Sequence, residues 1–143
     1  MSVGDDIDKF SSTLTSVFFD KEKKSLLCFN LGDSLIGGVK NENFEIILQP
    51  QIISDGCYAT TTENVESVIE VKIVSATDYS SVFICSDGMW KQMFNRGKLR
   101  YEYNNMILKG DYIEIIENIK KSPCHDDRSI VAMKLEFQNE RVA

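Results

Sequence analysis

Val82-Phe83-Ile84-Cys85-Ser86-Asp87-Gly88-Met89-Trp90 sets the architecture of this chain. Its four leading apolar residues suit a short strand buried on both faces. Asp87-Gly88 ends that run, and the pattern after it changes to a short helix near Met89 to Phe94. His125-Asp126-Asp127-Arg128-Ser129-Ile130-Val131-Ala132 reverses the order, with Asp126 ahead of a strand. In both stretches a carboxylate sits at a strand edge, where the backbone can hold it rigidly. Carboxylates held this way suit a hard, oxygen-seeking cation such as magnesium or manganese. A third acidic turn, Leu31-Gly32-Asp33-Ser34, lies upstream. Each turn alone also has an ordinary explanation, because Asp is favoured in turns and as a helix cap.

The remaining pattern predicts about seven strands and two helices. Thr13 to Phe19 and Ser25 to Leu31 read as a hairpin across Asp20-Lys21-Glu22-Lys23-Lys24. Ser34 to Lys40 and Phe44 to Leu48 follow as strands, and Pro50 ends the second because proline cannot donate to a ladder. Residues 51 to 67 are polar and irregular. Ile69, Val71 and Ile73 alternate with Glu70 and Lys72, the period of a half-buried strand. Tyr112, Ile115, Ile116 and Ile119 place one apolar stripe on a helix from about Asp111 to Lys121. Pro123 stops it, and Val131, Met133, Leu135 and Phe137 alternate in a last strand. Short turns early and helices late give an α+β fold with a mainly antiparallel sheet.

The chain has 143 residues, 43% of them hydrophobic, enough for one domain with a core. Its net charge of -6 and scattered basic residues argue against nucleic acid. No apolar run approaches the roughly 20 residues that span a bilayer. The first residues carry no secretion signal. Cys28, Cys57, Cys85 and Cys124 form no Cys-x-x-Cys pair, which argues against zinc. A reduced cytoplasm is the expected compartment.

Gly32-Asp33-Ser34, Ser86-Asp87-Gly88-Met89-Trp90 and Asp126-Asp127-Arg128-Ser129-Ile130 resemble, in order, the last three motifs of the metal-dependent serine/threonine phosphatases, the protein phosphatase 2C family. Phe10-Ser11-Ser12-Thr13-Leu14 is similar to the segment before the first of them. Gly56-Cys57-Tyr58-Ala59-Thr60 resembles a mid-domain loop of a bacterial branch. The resemblance runs from about Phe10 to about Leu135. It implies a partial α/β/β/α sandwich, in which two packed sheets are flanked by helices. It also implies a two-metal centre in which Asp87 and Asp126 are ligands of one manganese or magnesium ion, with Asp33 at a position that in some members helps to hold a weaker third ion. The expected substrate is a phosphoprotein.

The family's amino-terminal half supplies an Asp, an Asp-Gly and usually a phosphate-gripping Arg. Asp5, Asp6 and Asp8 follow no apolar strand and do not match them. Residues 1 to 143 therefore read as the carboxy-terminal part of such a domain, incomplete alone. The expected partner is a complementary amino-terminal segment or a second copy, through apolar surface that includes Val17, Phe19, Phe83 and Ile84. A catalytically dead pseudophosphatase acting as a binding module is the alternative. An unrelated α+β interaction protein is a third reading.

Other residues have plainer readings. Ser54-Asp55-Gly56 repeats the Ser-Asp-Gly string but follows no long apolar strand, and reads as a surface turn. His125, the only histidine, could shuttle a proton or be a solvated loop residue. Trp90 reads as packing behind the site. Lys24, Lys40 and Arg128 could attract phosphate, although lone basic residues usually face solvent.

Overall fold

A computed structural model describes residues 11–54, 56–123 and 126–137. Asp5, Asp6, Asp8, Phe10, Asp55, Cys124 and His125 lie outside the described residues. Strands β1 (Leu14–Asp20) and β2 (Ser25–Leu31) form the expected hairpin. The Asp20 carboxylate accepts from the backbone N–H groups of Glu22 and Lys23 and so holds its turn. Strands β3 (Leu35–Lys40) and β4 (Asn43–Leu48) form a second hairpin. Its two loop residues, Asn41 and Glu42, both have left-handed φ, as a tight turn between twisted strands requires.

Strand β5 (Glu70–Ser75) and strand β6 (Tyr79–Cys85) are joined by a short 3-10 turn. Helix α1 (Asp87–Met93) follows, then a small hairpin of β7 (Phe94–Asn95) and β8 (Lys98–Leu99). Helices α2 (Tyr101–Lys109) and α3 (Tyr112–Lys120) precede the last strand, β9 (Ile130–Lys134). The described residues thus hold three helices, one more than the sequence suggested. The added one, α2, buries only Tyr103 and Ile107, so its stripe is too narrow to read against its polar neighbours. Helix α3 lies where its apolar spacing put it, with Asp111 as N-cap accepting from the Glu114 N–H.

Every strand pair is antiparallel. One sheet has the order β1-β2-β5 and a second the order β4-β3-β6-β9. Leu26 and Cys28 of the first pack against Ile36, Ile47 and Val82 of the second. On its other face the second sheet offers Leu35, Val39, Phe83 and Cys85 to Met89, Met93, Ile107, Ile115 and Ile119 of the three helices. The layers are therefore sheet, sheet and helices, an α+β sandwich with the core in two seams.

The far face of the three-stranded sheet remains apolar and exposed. Phe18, Leu27 and Ile73 line up in register across it, with Phe18 60% and Ile73 70% exposed. Two expectations change here. Ile73 and Val71 occupy this outer face, whereas Val74, paired with Leu26 in the same sheet, turns toward the inner seam. The period of two was right, but it fixes a pair of faces and not which one is covered. Phe83 is buried under the helices, and Val17 pairs with Cys28 on the inner face, so Phe18 and Leu27 take the expected place of Val17 and Phe83 as outward apolar residues. Among the described residues no helix is long and apolar enough to cross a membrane.

Candidate metal centre

Strand β6 ends at Cys85, paired with Ile130 at the start of β9. This pairing brings the Asp87 turn and the 126–129 loop together. Ser86 fastens them: its backbone N–H donates to the Ser129 carbonyl at 3.0 Å. Its hydroxyl accepts from the Ser129 N–H at 3.0 Å and donates to the Asp127 carbonyl at 3.1 Å. Ser86 is the N-cap of α1, and Asp87 is the first helical residue. A Cβ on Gly88 would collide with the Asp127 carbonyl oxygen and stand 2.9 Å from the Asp126 Cβ. Glycine there lets the Asp126 loop lie directly on the first turn of the helix.

Asp33 reaches the same region from the other side. Gly32 has φ +130°, and a Cβ on it would fall 2.5 Å from the Thr13 side chain. Two buried amides hold this turn. Asn30 Nδ2 donates to the carbonyls of Gly32, Ser34 and Gln49, and its Oδ1 accepts from the Thr15 hydroxyl. Gln51 Oε1 accepts from the Gly32 N–H at 2.7 Å, while its Nε2 donates to the Val68 carbonyl. Trp90 Nε1 then donates to the Asp33 carbonyl at 2.7 Å, tying the turn to α1. Trp90 is a packing residue as expected, with a specific bond in addition.

Two residues that drew no functional reading from the sequence stand in this cluster. Lys91 Nζ donates to Asp87 Oδ2 at 2.8 Å, and Asp87 Oδ1 accepts from the Gly88 N–H at 2.8 Å. The Lys91 hydrogen bond, more than any other influence, holds the Asp87 carboxyl below its ordinary range. The Lys91 ammonium is pushed up, first by that bond, with the charges of Asp87, Asp126 and Asp33 adding to it. Asp87 and Lys91 lie at i, i+4, a spacing that places them on one helix face and that the sequence displays. Cys57 is the other. Burial first, then the Asp33 carboxylate, push its thiol up, with Asp87 contributing. Nothing in its local sequence marks it as a neighbour of Asp33.

Asp87 alone bonds the Lys91 ammonium, while Asp126 and Asp33, from two other segments, act on it only through their charge. The oxygen chemistry of the three carboxylates fits a hard cation. Their number is short of a full shell: among the described residues no three acidic, His or Cys side chains group closely enough to hold a metal ion. A shallow cleft of about 340 Å³ opens alongside, lined by Leu35, Ile46, Ile52, Trp90, Lys91 and Arg96 among others. Two of the three basic residues first considered for phosphate have local roles. Lys40 pairs with Asp78 at 3.7 Å. Arg128 donates to the Ile119 and Ser122 carbonyls at the end of α3. Ile53 and Gly56 exchange backbone hydrogen bonds; Asp55, the acidic residue of the repeated Ser-Asp-Gly string, lies outside the described residues.

The fold has solved relatives. The phosphatase domain of the cell fate determinant SpoIIE from Bacillus subtilis, Mn presoaked, superposes with a TM-score of 0.61 at 13% identity, over 88% of this chain and 57% of that one. A C. elegans sex determining protein gives 0.62 at 17% identity, over 92% and 42%. A bacterial serine phosphatase variant gives 0.54 at 17%, over 88% and 53%. The chain therefore spans only about half the length of these structures. No curated protein matches it. The family model described as Protein phosphatase 2C matches residues 2–111, well over half of the sequence. With the three motifs in order, on a sandwich of the matching kind, the chain belongs to the protein phosphatase 2C family.

Proposed function

We propose that this chain is the carboxy-terminal part of a metal-dependent protein serine/threonine phosphatase domain. Asp87 and Asp126 are ligands of one manganese or magnesium ion of a two-metal centre, and Asp33 helps to hold a third, weaker one. The observation that supports this most is that the Asp126 loop packs on Gly88 and bonds Ser86, while the Asp33 turn bonds Trp90, so that all three acidic segments meet the first turn of α1. Metal ions in such a site lower the pKa of bound water and neutralise charge on phosphoryl oxygens. The chain's own residues set the frame: Ser86 fixes the Asp126 loop, Trp90 fixes the Asp33 turn, and Gly88 lets the Asp126 loop lie on α1. The substrate is a phosphoprotein, and the cleft beside Trp90 and Lys91 is the place where its chain lies. The compartment is the cytoplasm.

The exposed row Phe18, Leu27 and Ile73 favours association, since contiguous apolar surface of this kind marks an interaction face. Its occupant is a complementary amino-terminal segment or a second copy. A second reading, a pseudophosphatase that binds without chemistry, is favoured by the incomplete carboxylate set.

One experiment separates the two. An aryl phosphate is incubated with manganese and the chain, alone and with the amino-terminal portion of a protein phosphatase 2C domain added in trans. The phosphatase reading expects turnover no faster than metal ions in buffer alone, and manganese-dependent hydrolysis with the complement. No rate in either case leaves the binding module. Robust turnover by the chain alone contradicts the incomplete site.

A further inference from the structure

Lys91-Gln92-Met93-Phe94-Asn95-Arg96-Gly97-Lys98-Leu99-Arg100 carries four basic residues and no acidic one, in a chain of net charge -6. The β7–β8 register sorts them. Phe94 stands opposite Leu99 and Asn95 opposite Lys98, so the apolar pair shares one face and the polar pair the other. Phe94 and Leu99 pack against the core under the helices, and the Phe94 ring meets the Phe44 ring edge-on at 6.0 Å. Arg96 and Gly97 form the two-residue turn, both with left-handed φ. The Arg100 N–H donates to the Met93 carbonyl and closes the base of the hairpin. Arg96, Lys98 and Arg100 are all exposed on this anchored frame. Among the described residues none of the three is in an ion pair, whereas Lys91 is held by Asp87.

Arg96 also stands on the rim of the cleft beside Trp90, where Ile46 and Ile52 supply apolar surface and Ile52 is 65% exposed. Unpaired cations next to an apolar trough match a peptide that carries both carboxylates and an apolar side chain. We propose that the β7–β8 hairpin docks an acidic segment of a protein partner, with Arg96, Lys98 and Arg100 holding its carboxylates while an apolar side chain of the segment rests on Ile46, Ile52 and Trp90. The inference rests on the cleft being where a protein chain lies, as proposed above, and needs neither metal nor turnover. Nucleic acid fits less well. A long polyanion extends past the hairpin and meets the negative charge of the rest of the chain, whereas a short acidic segment feels chiefly the cations within about 10 Å. Glu102, in the shallow hollow that Lys98 and Arg100 also line, bounds the basic patch on that side.

The test follows the emission of Trp90, the single tryptophan, as a synthetic peptide of one leucine and a run of glutamates is added to the full chain. A chelator is present, so that no metal takes part. The expected result is a saturable change. Arg96→Gln and Lys98→Gln should each weaken binding about fivefold, and the two together should weaken it further. Lys21→Gln combined with Lys23→Gln, which removes the same charge from the β1–β2 turn, should leave the affinity unchanged. Affinity should fall as salt is raised, more steeply in the unaltered chain than in the double hairpin variant. Equal affinity in the hairpin and turn variants overturns the docking role, as does saturation by a peptide with glutamine in place of every glutamate. Tighter binding of an oligothymidylate of equal charge also overturns it and makes the patch a nucleic-acid site. No saturable peptide binding overturns the docking role alone, because the phosphatase reading stands or falls on manganese-dependent turnover with the complement.

Discussion

The indole Nε1 of Trp90 donates a 2.7 Å hydrogen bond to the backbone carbonyl of Asp33, 57 residues away in sequence. This bond joins the turn that carries one candidate ligand to the helix that carries another. It gives Trp90 a reason to be tryptophan and not another large apolar residue. Trp90→Phe keeps most of the packing and removes the donor. The expected cost is about 1 to 2 kcal/mol in urea unfolding, with a weaker contribution of Asp33 to manganese binding. A variant as stable as the parent would remove the bond from the account.

Asn30 should be the most sensitive polar position. It is fully buried, and its side chain serves three carbonyls and one hydroxyl around the Asp33 turn. Asn30→Ala leaves those groups without their partner. We expect a loss of about 3 kcal/mol or more, measured by denaturant unfolding. A loss below about 1 kcal/mol would mean that water replaces the amide.

Gly88→Ala should move Asp126. The added methyl meets the Asp127 carbonyl and the Asp126 Cβ, and the Ser86–Ser129 bonds oppose any retreat of that loop. Overpacking of this kind costs about 1 to 3 kcal/mol. Amide exchange at Ser129, whose N–H is bonded to Ser86, should accelerate in the variant. Unchanged protection at Ser129 would show that the loop had room.

Much of this arrangement is legible in sequence and part of it is not. Strand β2 falls where its apolar run put it, and the tripeptide Ser86-Asp87-Gly88 marks the strand-to-helix turn correctly. The β7–β8 hairpin escapes because two-residue strands show no period. The inward face of β5 escapes because both its faces carry apolar residues and only packing chooses between them. At the site, the acidic turns could be ordered but their convergence could not. That depends on the Cys85–Ile130 register and on buried amides, Asn30 and Gln51, that look like ordinary polar residues until their partners are seen.

The two seams also fix the response to alkali. Burial pushes the Cys85 thiol up from an ordinary 9.0 to about 12 and the Cys28 thiol to about 11. Tyr79 rises to about 12, through burial first and then the Glu45 carboxylate. Groups with raised folded values keep their protons longer in the folded chain. Their contribution is therefore complete below their unfolded values and is lost as pH rises toward the folded ones. Stability should fall steadily from about pH 9 upward. In Cys85→Ala the neutral-pH stability should be lower, but the fall between about pH 9 and pH 12 should be shallower. Equal slopes in the two proteins would remove Cys85 from the alkaline response.

Trp90, the chain's single tryptophan, reports on the proposed metal centre from within, because its ring lies between the Asp33 turn and Lys91. Its emission during a manganese titration tests the assignment of Asp87 and Asp126 directly. The account predicts a saturable change that Asp87→Asn abolishes and Asp126→Asn strongly weakens, while Asp55→Asn, in the Ser-Asp-Gly string that reads as a surface turn, leaves it intact. An unsaturable response, or the same response in all three variants, would contradict a metal site at Asp87 and Asp126.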